Sequence, residues 1–349
     1  MNQPDSDYLP TATIQTLQHR SQLLRAIRIF FESRGYWEVE TPLISRDTVV
    51  DAYIDPFLTH WHTVEGVANS AGEPRYLQTS PEFAMKRLLT AGADQIYQIT
   101  HAFRQAERGS MHNPEFAMLE WYRLGETHHD QMTFVEALVR HIYQTAASLP
   151  GRSAILELTD LPFERFSYED AFLQFAGLSG LHSTAEDFQQ IARRHDISVP
   201  ADFETSDCLS WQNLLLVELI EPKLREKKAV FLYDYPASQA ALSRIRQGDH
   251  PGSAGVAERF ELYLQGIEIC NGYHELTDAD ELRARIIQQS ALRERENRPA
   301  LPAESYLLQA MDAGLPDCAG TALGLDRLIM LALGKQTLQE VIAFPVERA

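Results

Sequence analysis

Residues Phe103–Tyr122 (FRQAERGSMHNPEFAMLEWY) combine side chains that together could bind a nucleotide. Arg104 and Arg108 offer planar, permanently charged donor groups suited to phosphate oxygens. His112 adds a polar ring, and Phe116 an apolar face. A triphosphate-binding loop therefore fits this composition, although an ordinary charged hairpin would show the same local pattern.

Two strand-like segments flank this loop. Gln95–Phe103 alternates apolar and polar residues, and Phe116–Tyr122 is rich in aromatic and apolar residues, as paired strands prefer. The turn region between them contains Gly109 and Pro114. The pattern predicts a hairpin that would hold the loop arginines in place.

A second hairpin is predicted from Arg259–Leu264 and Ile267–Cys270, with a turn at Gln265-Gly266. Glu261 and Glu268 lie on these successive strands. Magnesium binds one or two carboxylates together with phosphate oxygens, so the pair would suit a bound nucleotide. Cross-strand surface acids remain the alternative.

Three further positions could contact a ligand. Glu82 and Glu275 lie at the ends of predicted elements, where either could pair with a cationic substrate or simply be solvated. Gly320 and Gly324 precede Arg327 and would let the backbone approach a ligand closely, while the arginine could cover an adenine or a phosphate. A helix start with a solvated arginine is equally compatible with that stretch.

The histidines and cysteines give no clear metal motif. His60 and His62 are one strand period apart but lack a third ligand nearby, so we expect surface strand residues. The pair His128-His129 is expected to be solvated. The cysteines are too few and too scattered for a disulfide framework or a zinc cluster.

Composition and charge limit the kinds of protein that this chain can be. The chain has 349 residues, 44% of them hydrophobic, with a net charge of −18 from 31 basic and 49 acidic residues. This charge gives no general attraction to a phosphate backbone. Neither a signal peptide nor an apolar run of about 20 residues, as a membrane span requires, occurs, so a soluble cytoplasmic protein is expected.

The periodicity predicts mixed helices and strands after a loose N-terminus at residues 1–12. Residues 46–75 are expected to be irregular, and residues 150–228 to form a mostly helical insertion. The other predicted elements are a helix at Ile14–Arg34, a strand at Tyr36–Ile44 interrupted by Pro42, a helix from Ser80 to Leu89, a helix at Gln131–Ser148 capped by Asp130, a strand at Asp317–Gly324 and a helix at Leu325–Leu333.

Taken together, these segments resemble the signature motifs of class II aminoacyl-tRNA synthetases, in particular the catalytic domain of lysyl-tRNA synthetase. RSQLLRAIRIFFESRGYWEVETPLI resembles motif 1, FRQAERGSMHNPEFAMLEWY motif 2 and GTALGLDR motif 3. TSPEFAMKRLL and RFELYLQGIEICNGYHEL are similar to the lysine-type enzymes. The resemblance implies an α+β catalytic domain over residues 13–349, with an antiparallel sheet flanked by helices and a homodimer formed through motif 1 and Pro42.

The resemblance also implies residue roles. Arg104 would bridge the α-phosphate of ATP and the amino-acid carboxylate, and Arg327 would enclose adenine against Phe116. The remaining implied assignments are Ala106, Glu107, His112, Asn113, Glu268, Ile269 and Gly324 for ATP, Glu261 and Glu268 for Mg²⁺, Glu82 for the substrate's backbone amine, Tyr122 and Glu275 for its distal ammonium, and Ser80 and Ala322 around its amino-acid end.

Departures from the pattern point to a subgroup. Too few residues precede motif 1 for the anticodon-binding barrel of the tRNA-charging enzymes. Ser80 and Ala322 replace the usual Ala and Gly of lysyl-tRNA synthetases, and Ala106 replaces a usual Glu, with Glu107 following. The chain therefore resembles the free-standing paralogues that attach β-lysine to translation elongation factor P, without tRNA. A truncated synthetase that charges tRNA and a non-catalytic amino-acid-binding regulator are the alternatives.

Overall fold

The computed structural model describes residues 8–62, 72–150, 158, 162–200, 203–248 and 254–349. The helices follow one another along the chain, and a π-helical turn at Leu216–Ile220 lies between α6 and α7. They are α1 (Ile14–Glu32), α2 (Glu82–Thr90), α3 (His128–Ala147), α4 (Tyr168–Phe175), α5 (Ala185–Arg194), α6 (Cys208–Leu215), α7 (Glu221–Arg225), α8 (Ala279–Arg295), α9 (Tyr306–Asp312) and α10 (Leu325–Ala332).

The strands are β1 (Trp37–Glu38), β2 (Ile44–Ser45), β3 (Leu58–Trp61), β4 (Glu73–Leu77), β5 (Gln95–Phe103), β6 (Glu115–Leu124), β7 (Glu164–Ser167), β8 (Ala229–Pro236), β9 (Ile245–Arg246), β10 (Val256–Leu264), β11 (Ile267–His274) and β12 (Cys318–Gly324). The chain divides into two compact units. The first comprises Met1–Glu126, Ala137–Glu157 and Thr277–Ala349, and the second comprises Thr127–Glu136 and Leu158–Leu276.

The first unit is built on the antiparallel pairs β5–β6 and β6–β12, with β1 parallel to β5. A small antiparallel sheet is formed by β2, β4 and β3. The ring of Phe31 in α1 stacks on Tyr97 at 4.5 Å and meets Trp121 edge-on at 5.4 Å. Burial of these large aromatic surfaces fixes α1 against one face of the sheet, because such rings dominate core energetics.

In the second unit, β10 pairs antiparallel with β8, β9 and β11, and β7 runs parallel to β8. Helices α4 to α7 pack over β8 and β10 through a core that includes Phe172, Phe188, Trp211 and Leu232. Both units thus combine mostly antiparallel strands with flanking helices, which confirms the predicted α+β class.

Local patterns predicted most element positions but not all of them. The strand predicted at Tyr36–Ile44 with an interruption at Pro42 is present only as two short pieces. Trp37–Glu38 pairs with β5, and the chain beyond Pro42 joins a different sheet as β2. Residues 46–75 are not uniformly irregular, since β3 and the start of β4 lie there. The predicted helical segment at residues 150–228 contains the helices α4 to α7 but also strand β7. Helix α9 was not predicted.

The predicted cap of α3 is also wrong. The helix begins at His128, two residues before Asp130. The Asp130 carboxylate instead accepts hydrogen bonds from the backbone N–H and the hydroxyl of Thr127, at 2.9 and 2.8 Å. Asp130 therefore stabilises the start of α3 from within its first turn.

The turn at Gln265-Gly266 joins β10 to β11, as predicted, and both residues have positive φ, 51° and 74°. A Cβ at Gly266 would lie 1.9 Å from Cγ and 3.0 Å from Cα of Arg225 in α7. Backbone and inner side-chain atoms cannot move aside easily, so glycine is required here both for φ and for space.

We therefore expect Gly266→Ala to destabilise the protein by roughly 2–4 kcal/mol, combining left-handed strain with overpacking. Gly177→Ala is the matched control, because Gly177 has the same φ of 74° and open space at its Cβ position. It should cost only the strain of roughly 1–2 kcal/mol. Urea unfolding of both variants measures the difference, and equal losses would show that Arg225 does not restrict the turn.

Candidate active site

The hairpin predicted around Phe103–Tyr122 is present. Strands β5 and β6 pair in register from Gln95 opposite Arg123 to Phe103 opposite Glu115. The loop between them is itself hydrogen-bonded, since the N–H of Arg104 donates to the carbonyl of Pro114 at 2.9 Å and Gly109 bridges to His112. This pairing anchors both ends of the loop that carries the polar side chains.

Arg104 is held in place by three groups. Its Nε donates to the carbonyl of Thr79 at 3.2 Å, and one terminal nitrogen donates to Glu107 Oε1 at 3.2 Å. The guanidinium carbon lies 5.2 Å from the centre of the Phe116 ring. Ala106 has a φ of 62°, and this left-handed residue lies between the arginine and its carboxylate partner. Glu107 therefore forms an ion pair with Arg104, a contact that the sequence did not predict.

Arg327 and His112 form a second pair, joined by a hydrogen bond. Arg327 Nε donates to the carbonyl of Met111 at 3.1 Å, and a terminal nitrogen lies 2.7 Å from His112 Nε2. Because a guanidinium can only donate, His112 Nε2 must be the acceptor, so this geometry assigns a neutral ring. Desolvation lowers the pKa of His112, and the Arg327 charge acts in the same direction, which favours that neutral form.

Asp326, next to Arg327, connects three segments of the first unit. Its Oδ2 accepts the backbone N–H of Ala117 at 2.7 Å, and its Oδ1 lies 2.6 Å from a terminal nitrogen of Arg20 in α1. The carboxylate is 3% exposed, so the pair is well shielded from solvent. It fixes β6 next to Phe116 and the first turn of α10 relative to each other.

Asn113 orients the end of the loop. Its amide nitrogen donates to the carbonyl of Glu115, and its oxygen accepts the N–H of Val346 at 3.0 Å. Arg108 pairs with Glu347 at 2.9 Å and remains largely exposed. The C-terminal segment therefore contributes directly to the shape of the loop.

Three of the predicted substrate-end residues, Ser80, Tyr122 and Ala322, lie around a residue that was not predicted, Glu120. The Ser80 hydroxyl donates to Glu120 Oε2 at 2.8 Å, and the Tyr122 hydroxyl donates to Oε1 at 2.6 Å. Ala322 is the β12 register partner of Glu120, and Gly320 that of Tyr122. Small residues on β12 thus leave space opposite the polar side chains of β6.

Glu120 is fully buried, and burial is the main cause that raises its pKa to about 7. The charge of Glu82 raises the pKa further, whereas the bonds from Tyr122 and Ser80 and the charge of Lys86 lower it. Lys86 forms an ion pair with Glu82 one helical turn away in α2. The available sequence signal was the strand alternation in EWY, which places Glu120 on the same face as Tyr122.

In the second unit, Glu261 is strongly hydrogen-bonded. Tyr235 and Tyr263 donate to Oε2 at 2.6 and 2.7 Å, and Arg259 donates to Oε1 at 2.5 Å. Burial, reinforced by the Glu261 charge, raises the pKa of both tyrosines well above the usual value, so both hydroxyls remain donors. These three donors therefore hold the Glu261 carboxylate in a fixed orientation.

Glu268 lies opposite Tyr263 on the neighbouring strand and is exposed. Among the described residues, Glu261 Oε1 accepts a hydrogen bond from a single donor, Arg259, so this oxygen can also bind an ion. The two acids therefore fit an ion such as Mg²⁺, which takes few carboxylates and completes its shell with phosphate oxygens and water.

The remaining predicted residues of this unit lie along β11. Ile269 follows Glu268 and is 2% exposed. Glu275 follows the last residue of β11, is 1% exposed, and forms an isolated bridge with Ser243. A buried acid at a strand end is a suitable partner for a desolvated ammonium group.

Comparison with known proteins agrees with this arrangement. Residues 7–348 match the family described as "tRNA synthetases class II (D, K and N)". The chain belongs to the class II tRNA synthetase family. This class II synthetase is also 42% identical over 345 residues to the "Elongation factor P--(R)-beta-lysine ligase" of Vibrio cholerae serotype O1, an alignment that covers 99% of each chain.

The family membership confirms the resemblance inferred from the three motifs, and the site roles assigned from it stay predictions. Within the first unit of this class II synthetase, the structure places Arg104 beside Phe116, Arg327 beside His112, and Ser80 and Tyr122 on Glu120. Among the described residues, no helix is long and apolar enough to cross a membrane.

Glu120 gives the class II synthetase a specific pH dependence of stability. Between pH 4.5, the ordinary pKa of a glutamate, and about 7, the folded protein keeps the Glu120 proton that the unfolded chain releases. The folded state then binds more protons, so the free energy of unfolding falls as pH rises, by at most roughly 3 kcal/mol. Glu120→Gln should lack this fall.

Urea unfolding between pH 5 and pH 8 measures this difference between the wild type and Glu120→Gln. Glu115→Gln is the matched control, because Glu115 lies on the same strand but is 54% exposed. Parallel pH curves for the wild type and Glu120→Gln would contradict the predicted proton uptake.

Proposed function

We propose that this class II synthetase is an ATP-dependent ligase that activates (R)-β-lysine and transfers it to a lysine side chain of translation elongation factor P. The observation that carries the proposal is the 42% identity, over 99% of both chains, to a relative whose name states this activity. The departures at Ser80 and Ala322 support it, because both lie around Glu120, where we place the amino acid. The proposed location is the cytoplasm.

The reaction has two steps. The β-lysine carboxylate attacks the α-phosphorus of ATP, which forms an aminoacyl-adenylate and releases pyrophosphate. The amine of the acceptor lysine then attacks the adenylate carbonyl, which forms an amide, and AMP leaves with the bonding electron pair. Positioning and charge neutralisation supply the catalysis, without a covalent enzyme intermediate.

For the nucleotide, we assign Arg104 to the α-phosphate and the substrate carboxylate. In the structure Arg104 pairs with the Glu107 carboxylate, which is negatively charged like the two ligand groups. Ligand binding would therefore exchange the Glu107 carboxylate for the substrate carboxylate as the partner of Arg104. Phe116 and Arg327 would enclose adenine. The supporting contacts come from Ala106, Glu107, His112, Asn113 and Gly324.

For the amino acid, we assign Glu82 to the backbone amine, and Tyr122 and Glu275 to the distal ammonium. Tyr122 is oriented by Glu120, and Glu82 is balanced by Lys86. Buried acids favour a substrate that carries two ammonium groups, because each buried carboxylate is costly unless a positive charge pairs with it.

In the second unit, Glu261 and Glu268 would hold Mg²⁺, and Glu268 and Ile269 would contact ATP. The ion would neutralise phosphate charge. Arg259, Tyr235 and Tyr263 orient the Glu261 carboxylate for this task.

A homodimer through motif 1 is part of the proposal. Large apolar side chains near Pro42 are exposed, with Trp37 at 49%, Leu43 at 44% and Ile44 at 46%. Contiguous exposed apolar surface is typical of protein interfaces.

The decisive experiment supplies the full-length protein with ATP and one of three substrates, (R)-β-lysine, (S)-β-lysine or α-lysine, together with elongation factor P or tRNA. Pyrophosphate release and the mass of the acceptor are measured. We expect release that is highest with (R)-β-lysine and a matching mass increase of elongation factor P. Transfer to tRNA alone would favour a truncated synthetase, and no pyrophosphate with any isomer would favour a non-catalytic binder.

Arg104→Ala should abolish pyrophosphate release in this assay. Arg165→Ala is a control with similar surroundings, because Arg165 also lies over a phenylalanine ring, Phe231, at 5.5 Å, but belongs to strand β7 outside the signature motifs. Equal loss in both variants would show a general effect on folding rather than a role of Arg104.

The methyl group of Ala322 is expected to set the preference between lysine isomers. It lies on β12 opposite Glu120, where it occupies space next to Ser80 and Tyr122. Ala322→Gly should raise the kcat/KM for α-lysine relative to β-lysine, by about 10-fold if one methyl contact decides.

Ala319→Gly is the control, because Ala319 lies on the same strand, is buried and alternates to the other face. It should weaken the strand by a similar 0.5–1 kcal/mol or so without changing the isomer ratio. An unchanged ratio in Ala322→Gly would exclude this residue as the determinant.

A further inference from the structure

Three buried side chains in the second unit converge outside the residues assigned to substrates. They are His128 at the start of α3, Glu258 in β10 and His274 at the end of β11, with exposures of 1%, 8% and 7%. One ligand atom of each lies within 4.8 Å of the others. The expectation that His128 would be solvated is therefore wrong, whereas its neighbour His129 is exposed as expected.

A β-bulge brings these groups together. Tyr233 pairs with Phe260 and Tyr235 with Ala257, so Asp234 alone faces two residues of β10. Asp234 has a φ of 56°, which supplies the irregular backbone of the bulge. Bulges re-aim side chains and often lie next to functional sites.

The backbone on the other side of Glu258 and His274 is also fixed. The N–H of Glu258 donates to the carbonyl of Arg244 at 2.9 Å, and the N–H of Arg244 donates to the carbonyl of His274 at 2.8 Å. Both ligand candidates are thus attached to the same short segment.

An outer layer of charged groups orients the cluster. Asp234 Oδ1 lies 2.9 Å from His128 Nε2, and its Oδ2 accepts a bond from Arg246 at 2.6 Å. Arg246 also donates to Glu258 Oε1 at 3.0 Å. A carboxylate that fixes one nitrogen of a histidine, and a donor that fixes a carboxylate, are the usual outer partners of metal ligands.

One observation points to a ligand at this cluster. The buried Nδ1 of His128 has no hydrogen-bond partner in the described parts of the chain, and His128 is one of the three residues whose ligand atoms converge. A buried nitrogen of this kind costs free energy unless a ligand satisfies it.

The chemistry of the donors selects the ion. Two imidazoles and one carboxylate form a typical zinc-binding set, whereas Mg²⁺ prefers oxygen ligands. His274 Nδ1 and Glu258 Oε2 lie 2.5 Å apart, so atoms of two of the three side chains already face each other.

The cluster is separate from the proposed substrate residues. His274 is the last residue of β11, and Glu275 follows it in an extended β-bridge with Ser243. Successive residues of an extended chain point to opposite faces. An ion bound by His274 would fix the end of β11 and thereby the position of Glu275. Its role would be structural.

We propose that His128, Glu258 and His274 bind one zinc-type transition-metal ion on the face of β11 opposite Glu275. This site is independent of the magnesium assigned to Glu261 and Glu268, because it uses nitrogen donors. Glu258 and Asp234 would share the balancing charge with Arg246.

The test uses the full-length protein, first stripped with a chelator and dialysed. Titration with Co²⁺, whose visible absorption is intense when its coordination number is low, and with Zn²⁺ in competition with a chromophoric chelator gives stoichiometry and affinity. We expect one ion per chain and a higher thermal unfolding midpoint with metal. Failure of the wild-type protein to bind one equivalent would overturn the proposal.

Variants locate the ion. His274→Gln and Glu258→Gln should each lose the Co²⁺ spectrum, and Asp234→Asn should bind 10–100-fold more weakly, as expected for an outer partner. His129→Gln is the matched control, because its ring lies 4.0 Å from that of His128 but is not part of the donor set. Wild-type affinity in both Glu258→Gln and His274→Gln would place any bound metal elsewhere and overturn the assignment.

Discussion

The carboxylate of Asp326 makes the contacts that join α1, β6 and α10 in the first unit. It binds Arg20 of α1 and the backbone of Ala117 in β6, and it belongs to the first turn of α10. Because both partners are largely shielded from water, the loss of one would leave a buried charge uncompensated. Phe116 and Arg327 each adjoin one end of this contact, so their spacing follows from it. The three segments that resemble motifs 1, 2 and 3 are therefore physically joined through one side chain.

Burial of charge is the recurrent feature of the site. Glu120 has no exposed surface, and its proton affinity near neutrality results from burial together with the nearby Glu82. Hydroxyl donors on Ser80 and Tyr122, and the Lys86 charge, limit this effect. Such arrangements cost stability in the absence of ligand, and they are expected where a protein must accept a cationic substrate into a desolvated position.

The β10–β11 hairpin of the second unit organises two clusters along one pair of strands. Glu261 is fixed by Arg259 and two tyrosines, while Glu258 and His274 belong to the network with His128 and Asp234. The bulge at Asp234 and the tight turn at Gly266 set the register between them. Strand alternation then separates His274 from Glu275, so neighbouring residues can take part in different chemistry.

The sequence by itself determined the two hairpins, the strand and helix that carry Gly324 and Arg327, and the family, because strand alternation, turn residues and motif spacing are local properties. It did not reveal that Glu120 is the partner of Ser80, 40 residues away. Nor did it reveal that Asp234 is the partner of His128, 106 residues away. It also did not show that the chain beyond Pro42 joins a different sheet, and it misplaced the start of α3. Those features depend on which distant segments pack together. Only the tertiary structure decides whether a polar side chain such as His128 faces water or a buried charge, because its free energy depends on that surrounding and not on its neighbours in sequence.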